Sequence, residues 1–462
     1  MLAPWLFGAV ELWAQEGLYC ATSLLLAAQV ARAAVTGRPS QLPPGWLPAA
    51  CFLSWIACQA IPIPAPLVAL LSPERFRLEQ IAAGLLGAKA PSWLTLSVDP
   101  VLTRHYLWEF LGIALFTLLL WNVIVNRDQL RRLLLAIIAN GALLTLFAII
   151  QRATWGGAIY WVRPIHLGGD PFGPYVNRTH MGGLLLLIIP LGLGFFSAEA
   201  ARWQSGERFD WRAWVRLPAK ELFERLFLPL LLLLMAAGVL TSKSRGALTS
   251  LLLGLLLMAL WFASRGREGR TGAVAIVAFV LAALLAALWV AADLFFGATE
   301  RLAAEVLDPK ESNRIALWSQ ALDLWKRFPW TGSGMGTFEP AFHLVRKVFP
   351  GNHGVTHAES DYVQLLCDTG VVGLGLAIWL VVALLAHGWH AVGESKSSWR
   401  EKMFLGGVVS VVGACLQGLA NFDLSIMANW LYVSAAVVVM GKAAKLGMGS
   451  SEGAGREQEQ AA

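Results

Sequence analysis

Apolar runs of roughly 17 to 25 residues recur along this chain, the length a helix needs to cross the hydrocarbon core of a bilayer. They fall at 18–35, 47–70, 106–126, 132–149, 180–198, 226–241, 246–263, 271–296, 369–388, 403–421 and 425–441. Short runs such as 226–241 must borrow flanking residues or tilt, and an interrupted apolar stretch before Leu18 reads as a further partial span. A bilayer interior offers no water to backbone N–H and C=O groups, so segments of this kind satisfy them internally as helices. The expected fold is an all-α integral membrane protein with about 11 transmembrane helices, in the range 10–12. Composition agrees: of 462 residues 57% are hydrophobic and 14% charged, against about 25% charged in soluble domains. Such a surface excludes a soluble enzyme, a disulfide-built secreted scaffold and a disordered chain. The five cysteines form no CxxC pair and read as small buried apolar residues rather than thiol-redox or metal groups. No cleavable signal peptide is evident, because Glu11 and Glu16 stand where a basic segment would be expected.

Basic residues in short loops assign the sides. Arg127, Arg131 and Arg132, the arginines of 199–225, Arg265, Arg267 and Arg270, then Lys396, Arg400 and Lys402, then Lys442 and Lys445 all fall on one side of an alternating count. The positive-inside rule makes that side cytoplasmic. Much of the net charge of +6 is then topology and calls for no nucleic-acid partner. The opposite side holds 71–105, 150–179, a tight turn near 242–245 and the long stretch 297–368. The organisation expected is an N-terminal bundle over 1–296, a large loop over 297–368, C-terminal helices over 369–445 and a small, polar, disordered tail over 446–462. A loop of about 70 residues is too long for a connector and should fold and carry function. Within it the spacing of Ile315, Leu317, Trp318, Ala321 and Leu324 predicts a helix from Arg314 to Lys326, and Gly332, Gly334 and Gly336 mark an irregular, tightly packed stretch. A second helix is expected from His357 to Gly370, leading into the ninth span.

Three polar groups on the non-cytoplasmic side need explaining. Asn177, Arg178, Thr179 and His180 enter the fifth span after a Gly- and Pro-rich approach; a cap and turn would account for part of them. Lys243 and Arg245, in TSKSRG, interrupt two strongly apolar runs on the side where basic residues are disfavoured. They read either as snorkelling cations or as an anion site facing the bundle interior, where a guanidinium offers a fork of donors matched to phosphate oxygens. Arg314 and the segment THAESDYVQLLCDTG form the third group. If that segment is helical, His357 and Asp361 share a face, and Glu359 points elsewhere unless the helix begins after it. His353, His357 and Glu359 lie within reach of one another, but H-x-x-x-H-x-E is no strong ligand spacing, so no metal is expected.

These same segments resemble the bacterial O-antigen ligase and Wzy-type polymerase superfamily of integral membrane glycosyltransferases. The pieces GPYVNRTHMGG, SKSRGAL, NRIALWSQALDLWKRFPWTGSGMGTF and HAESDYVQLLCDTGVVG match in order, and LQGLANFDLSIMANW is similar as well. The likeness runs over roughly 150 to 445. It implies a GT-C-like architecture, a multi-pass location in the bacterial cytoplasmic (inner) membrane, and a periplasmic active side. It also implies transfer of a glycan from an undecaprenyl pyrophosphate-linked donor to a hydroxyl on a glycan, a lipid A core or a protein, with no metal and no other cofactor. The two arginines that engage donor pyrophosphate in that family correspond to Arg245 and Arg314, with Lys243 and Arg178 as further candidates. Asn177, His180, Asp361 and Tyr362 are candidate supports, and Trp318, Trp325, Trp330 and Tyr362 are candidate sugar-stacking or interfacial aromatics.

One position departs from the family pattern. The base is a His followed by Asn, Ser or Gln, nine residues and Gly; here the corresponding residues are Glu359, Ser360, nine residues and Gly370. Glu359 acting as base, His357 acting in its place, and altered chemistry all remain open on the sequence. A non-catalytic subunit of an envelope polysaccharide assembly complex and a lipid-linked glycan flippase are the competing classes. The latter would be expected to show inverted-repeat symmetry, and none is visible.

Overall fold

The computed structural model describes residues 1–37, 39–164, 170–203, 218–264, 277, 279–280, 309–347, 355–393 and 398–446. The span expected at 271–296, apart from three positions, lies outside the described residues. So do most of the arginines read in 199–225 and 265–270, His353, and the tail from Gly447.

The chain is an all-α membrane protein. Among the described residues, eight helices are long and apolar enough to cross a membrane: α1 (Leu12–Thr36), α5 (Pro100–Val123), α6 (Arg127–Ala153), α7 (Arg178–Trp203), α8 (Ala219–Thr241), α9 (Arg245–Ser264), α12 (Asp361–Gly393) and α14 (Met427–Lys445). Two more complete the described bundle: α13 (Ser398–Gln417), which opens on a charged turn, and the shorter α2 (Trp46–Ala60). Between α2 and α5 come the short α3 (Ala65–Leu71) and α4 (Pro73–Leu85) and one rung of antiparallel pairing, β1 (Ile63–Pro64) with β2 (Trp93–Leu94). A second rung pairs β3 (Ala158–Ile159) with β4 (Arg163–Pro164). Above the bundle lie α10 (Pro309–Arg327) and α11 (Phe338–Phe342).

Local signals set several helix starts. The Asp99 carboxylate accepts from the Val101 and Leu102 N–H groups, at 2.9 and 3.1 Å, and so caps α5 ahead of Pro100. Asn126 and Gln129 form a capping box that opens α6. The segment before Leu12 forms two 3-10 turns, Ala3–Trp5 and Phe7–Ala9, and not a partial span.

Three expectations need correction. The run 47–70 is not one span: α2 ends at Ala60, because Pro62, Pro64 and Pro66 cannot supply helical N–H donors. The helix expected from His357 begins instead at Asp361. Residues 357–360 are loop, so His357 and Asp361 do not share a helical face. Cys20 and Cys58 are exposed rather than buried, and only Cys367 is fully buried, since apolar residues on an outer membrane helix face lipid as readily as protein.

Helix α7 is the axis of the bundle, packed by α6, α8, α9, α13 and α14 and almost wholly buried. Its glycines admit these neighbours: a Cβ on Gly194 would come within 2.6 Å of the Lys402 carbonyl, and one on Gly192 within 2.4 Å of Leu232. Small residues at such crossings are how helices pack closely where lipid removes the hydrophobic drive. The Ser410 hydroxyl adds an inter-helix hydrogen bond to the Leu187 carbonyl at 2.8 Å.

Charge is sorted between the two ends. At one end the Arg127 guanidinium lies 4.6 Å over the Trp399 ring, while Lys442 and Lys445 sit 4.3 and 4.9 Å over Trp121. These are cation–π contacts of the kind that anchor a bundle at a lipid headgroup level. The polar cluster described next occupies the opposite end.

Candidate functional site

The ends of five helices meet here: the starts of α7, α9, α12 and α14 and the end of α13. The Gln417 amide of α13 donates to the Thr179 carbonyl at the head of α7. The Asn429 amide of α14 donates to the His180 carbonyl at 3.3 Å and to that of Asp423 at 3.2 Å. A Cβ on Gly246 of α9 would lie 2.4 Å from the Asn421 amide nitrogen. The Asp361 N–H, opening α12, points at the Gly418 and Asn421 carbonyls, 2.9 and 3.0 Å away.

At the centre is a buried pair. His180 Nδ1 lies 2.7 Å from Asp423 Oδ1, and both side chains are almost fully enclosed. Gln417 hydrogen-bonds the other Asp423 oxygen, and Gly183 leaves room for it, since a Cβ there would meet that oxygen at 2.7 Å. Burial pushes the Asp423 carboxyl above the usual range, while the His180 contact opposes the shift. Phe422 is packed between two imidazoles: His180 is edge-on at 4.9 Å and His357 stacked at 4.3 Å. Burial, and then the nearby His180, push His357 down to about 4, so its ring is neutral at pH 7.

Helix α10 supplies the next layer. Arg314 and Trp318, one turn apart on it, both address the loop before α12. The Trp318 indole N–H donates to the Ala358 carbonyl at 2.9 Å, and Arg314 Nη2 lies 3.3 Å from Glu359 Oε2. Both members of the ion pair are roughly two-fifths exposed, open to solvent and to ligand. Glu359 holds a positive φ of 53°, uncommon for a residue with a Cβ. The Gln364 amide oxygen accepts from the Ala358 N–H, and Ser360 Oγ donates to the Gly418 carbonyl, at 3.2 Å each. These bonds hold the bend in place.

The residues singled out from the sequence divide accordingly. Arg314, Glu359, His357, His180 and Asp361 come together around the end of α13. Arg245 opens α9 beside Gly246, which faces Asn421, and Lys243 precedes it at φ 54° in the turn Ser242–Ser244. Asn177 is a cap, its Oδ1 accepting from the Thr179 N–H and hydroxyl at 3.0 and 2.9 Å. Arg178 turns to Asp170 at 2.5 Å, a carboxylate it shares with Arg152. Tyr362 donates to the Cys415 carbonyl at 2.8 Å, so it secures α12 on α13 instead of offering its hydroxyl to a sugar. Trp325 bonds the Pro329 carbonyl, and of the four aromatics only Trp330 is strongly exposed. Ile315 points outward, while Leu317, Ala321 and Leu324 pack with Phe328, Phe338 and Phe342 in a small core of their own.

Sequence reasoning missed Asp423, Phe422 and Gln417. The signal was present: an acid in NFD between two apolar runs is costly at membrane depth unless paired or functional. Its partner lay 243 residues away, beyond any local pattern. Among the described residues, no three His, Cys, Asp or Glu side chains gather at metal-ligating spacing.

Comparison with known proteins bears on this geometry. A family model described as O-antigen ligase matches residues 230–378. That range contains Lys243, Arg245, Arg314, His357, Glu359, Asp361 and Tyr362, and excludes Arg178, His180 and Asp423. No curated protein matches the chain. Over that segment, set in an all-helical membrane bundle, the chain is similar to the O-antigen ligase family.

Proposed function

We propose that this protein transfers a glycan from an undecaprenyl pyrophosphate-linked donor to an acceptor hydroxyl at the periplasmic face of the inner membrane. The observation that carries the reading is the Arg314–Glu359 contact of 3.3 Å, at the same end of the bundle as Arg245 and within the segment that matches the O-antigen ligase family. A phosphate-binding cation and a proton acceptor then flank one exposed place.

In this mechanism Glu359 takes the proton of the acceptor hydroxyl as its oxygen attacks the anomeric carbon. The bond from that carbon to the pyrophosphate oxygen breaks, and its electron pair leaves with the lipid pyrophosphate. Arg245 and Arg314 stabilise the charge that grows there, and fixed cations aimed at developing charge usually supply the largest catalytic share. Lys243, in the turn before Arg245, adds positive charge. Arg178 is the weaker donor candidate because it lies outside the segment that matches the O-antigen ligase family. His357 is the less suitable base: its ring is stacked on Phe422 and its Nδ1 lies 2.9 Å from the Thr356 hydroxyl. The Glu359 carboxylate faces the cation that would hold the donor.

The test is a deletion strain complemented with wild type, Arg245→Ala or Arg314→Ala. Each variant should reach the membrane at wild-type level and lose the transferred glycan by about 100-fold or more. Full transfer by both variants would sink the donor site. In the deletion itself, single lipid-linked repeats without polymer would mark a polymerase, and long chains left unattached would mark a ligase.

A further inference from the structure

Away from the site, α1 and α5 run side by side with both N-termini at the same end of the bundle, and enclose a groove of about 300 Å³. Very little of α1 is buried by the rest of the protein, and Leu12 and Trp108 on the rims are largely exposed, so the groove lies open to the acyl phase. Leu111 and Leu115 give it an apolar wall. Its other wall is unusual for a lipid-facing helix pair. Gln15 is 6% exposed, and its Oε1, like the buried Tyr19 hydroxyl, has no hydrogen-bond partner among the described residues. Gly112 lets the Tyr19 ring lie flat against α5, because a Cβ there would come within 2.4 Å of it. Glu16 adds a carboxylate and His105 an imidazole, and the lining holds no lysine or arginine.

We infer that this groove binds one phospholipid with an ammonium head group, the head donating hydrogen bonds to Gln15, Tyr19 and Glu16 and an acyl chain lying against Leu111 and Leu115. Buried polar atoms normally find partners, and a site offering oxygen acceptors and a carboxylate, with no lysine or arginine beside them, favours a cationic donor over an anion. Depth agrees. At 1.5 Å per residue, Gln15 and Tyr19 lie about 4.5 and 10.5 Å below the start of α1, the zone where head groups give way to chains. The inference is independent of the catalytic reading and concerns a lipid distinct from the donor, whose pyrophosphate this groove would repel.

The full chain, purified and delipidated, is titrated with phosphatidylethanolamine or phosphatidylglycerol of matched chains, and adducts are counted by native mass spectrometry. Wild type should retain one phosphatidylethanolamine at concentrations at least tenfold below those needed for phosphatidylglycerol. Gln15→Leu with Tyr19→Phe should erase that preference. Glu16→Gln, an exposed change that leaves packing intact, should reduce it several-fold even if the double variant folds poorly. Equal binding of the two lipids by wild type, or an undiminished preference in Glu16→Gln and the double variant, overturns the site. Tighter binding of a neutral glucosyl diacylglycerol than of phosphatidylethanolamine overturns the ammonium assignment.

Discussion

Glu359 stands where the related pattern has a His, on a backbone bent to φ 53° and facing Arg314. Replacing it with Gln keeps the shape and removes the proton acceptor. Glu359→Gln should therefore lower the rate of transfer by about 10² to 10⁴ while leaving donor retention close to wild type, as read by copurified lipid-linked glycan. Glu359→His, which restores an imidazole base, should recover more rate than Gln. Equal activity of the Gln variant and wild type would exclude the carboxylate as base. His357 carries a separate prediction in stability. Its folded pKa of about 4 lies below the unfolded value near 6.5, so between these pH values the unfolded state binds the extra proton. The contribution is complete above about pH 6.5 and is lost as pH falls toward 4, by roughly 3 kcal/mol at most. Melting curves in detergent should show wild type losing more stability over that window than His357→Gln.

At the scale of elements, the break in α12 links the loop layer to the membrane. Gly370 holds φ 67°, and a Cβ there would meet the Trp330 carbonyl oxygen at 2.2 Å. The backbone groups freed by the kink find partners: the Trp55 indole donates to the Thr369 carbonyl at 3.0 Å, and the Val371 N–H to that of Pro329 at 3.0 Å. The Gln59 amide, one turn further along α2, bonds the Thr331 and Asp368 carbonyls at 2.7 and 2.9 Å. A broken helix survives at membrane depth when neighbours supply these bonds. Gly370→Ala should thus cost at least about 2 kcal/mol. Gly375→Ala, five residues on with nothing near its Cβ, should be neutral or stabilising by up to about 1 kcal/mol. Comparable melting temperatures for the two variants would contradict this account of the kink.

At the scale of the whole molecule, cations over Trp121 and Trp399 gather at one end and the candidate site at the other. With the positive-inside rule, alkaline phosphatase fused after Leu86 or His343 should be active, and fused after Arg127 or Lys445 inactive. Activity after Arg127 would invert the assignment of sides.

Much of this was legible from residue order alone. Length and apolarity of the runs dictate membrane helices, because a bilayer leaves the backbone no other partner. Short-range spacing marks the helix that carries Arg314 and the tightly packed glycines of 332–336. The failures have two causes, a local signal averaged away and contacts between distant segments. That α2 stops at Ala60 was signalled by prolines that a hydropathy average hides. That α12 starts only at Asp361 depends on the end of α13, whose Gly418 and Asn421 carbonyls receive its first N–H. The pairing of His180 with Asp423, the stacking of His357 on Phe422 and the meeting of Arg314 with Glu359 join residues from separate helices. The sequence by itself determined the solvent, most of the helices and the residue types gathered at the candidate site. Which of those residues touch was decided only by packing, since contacts between distant segments follow from how α7 seats its neighbours and leave no periodic mark in the chain.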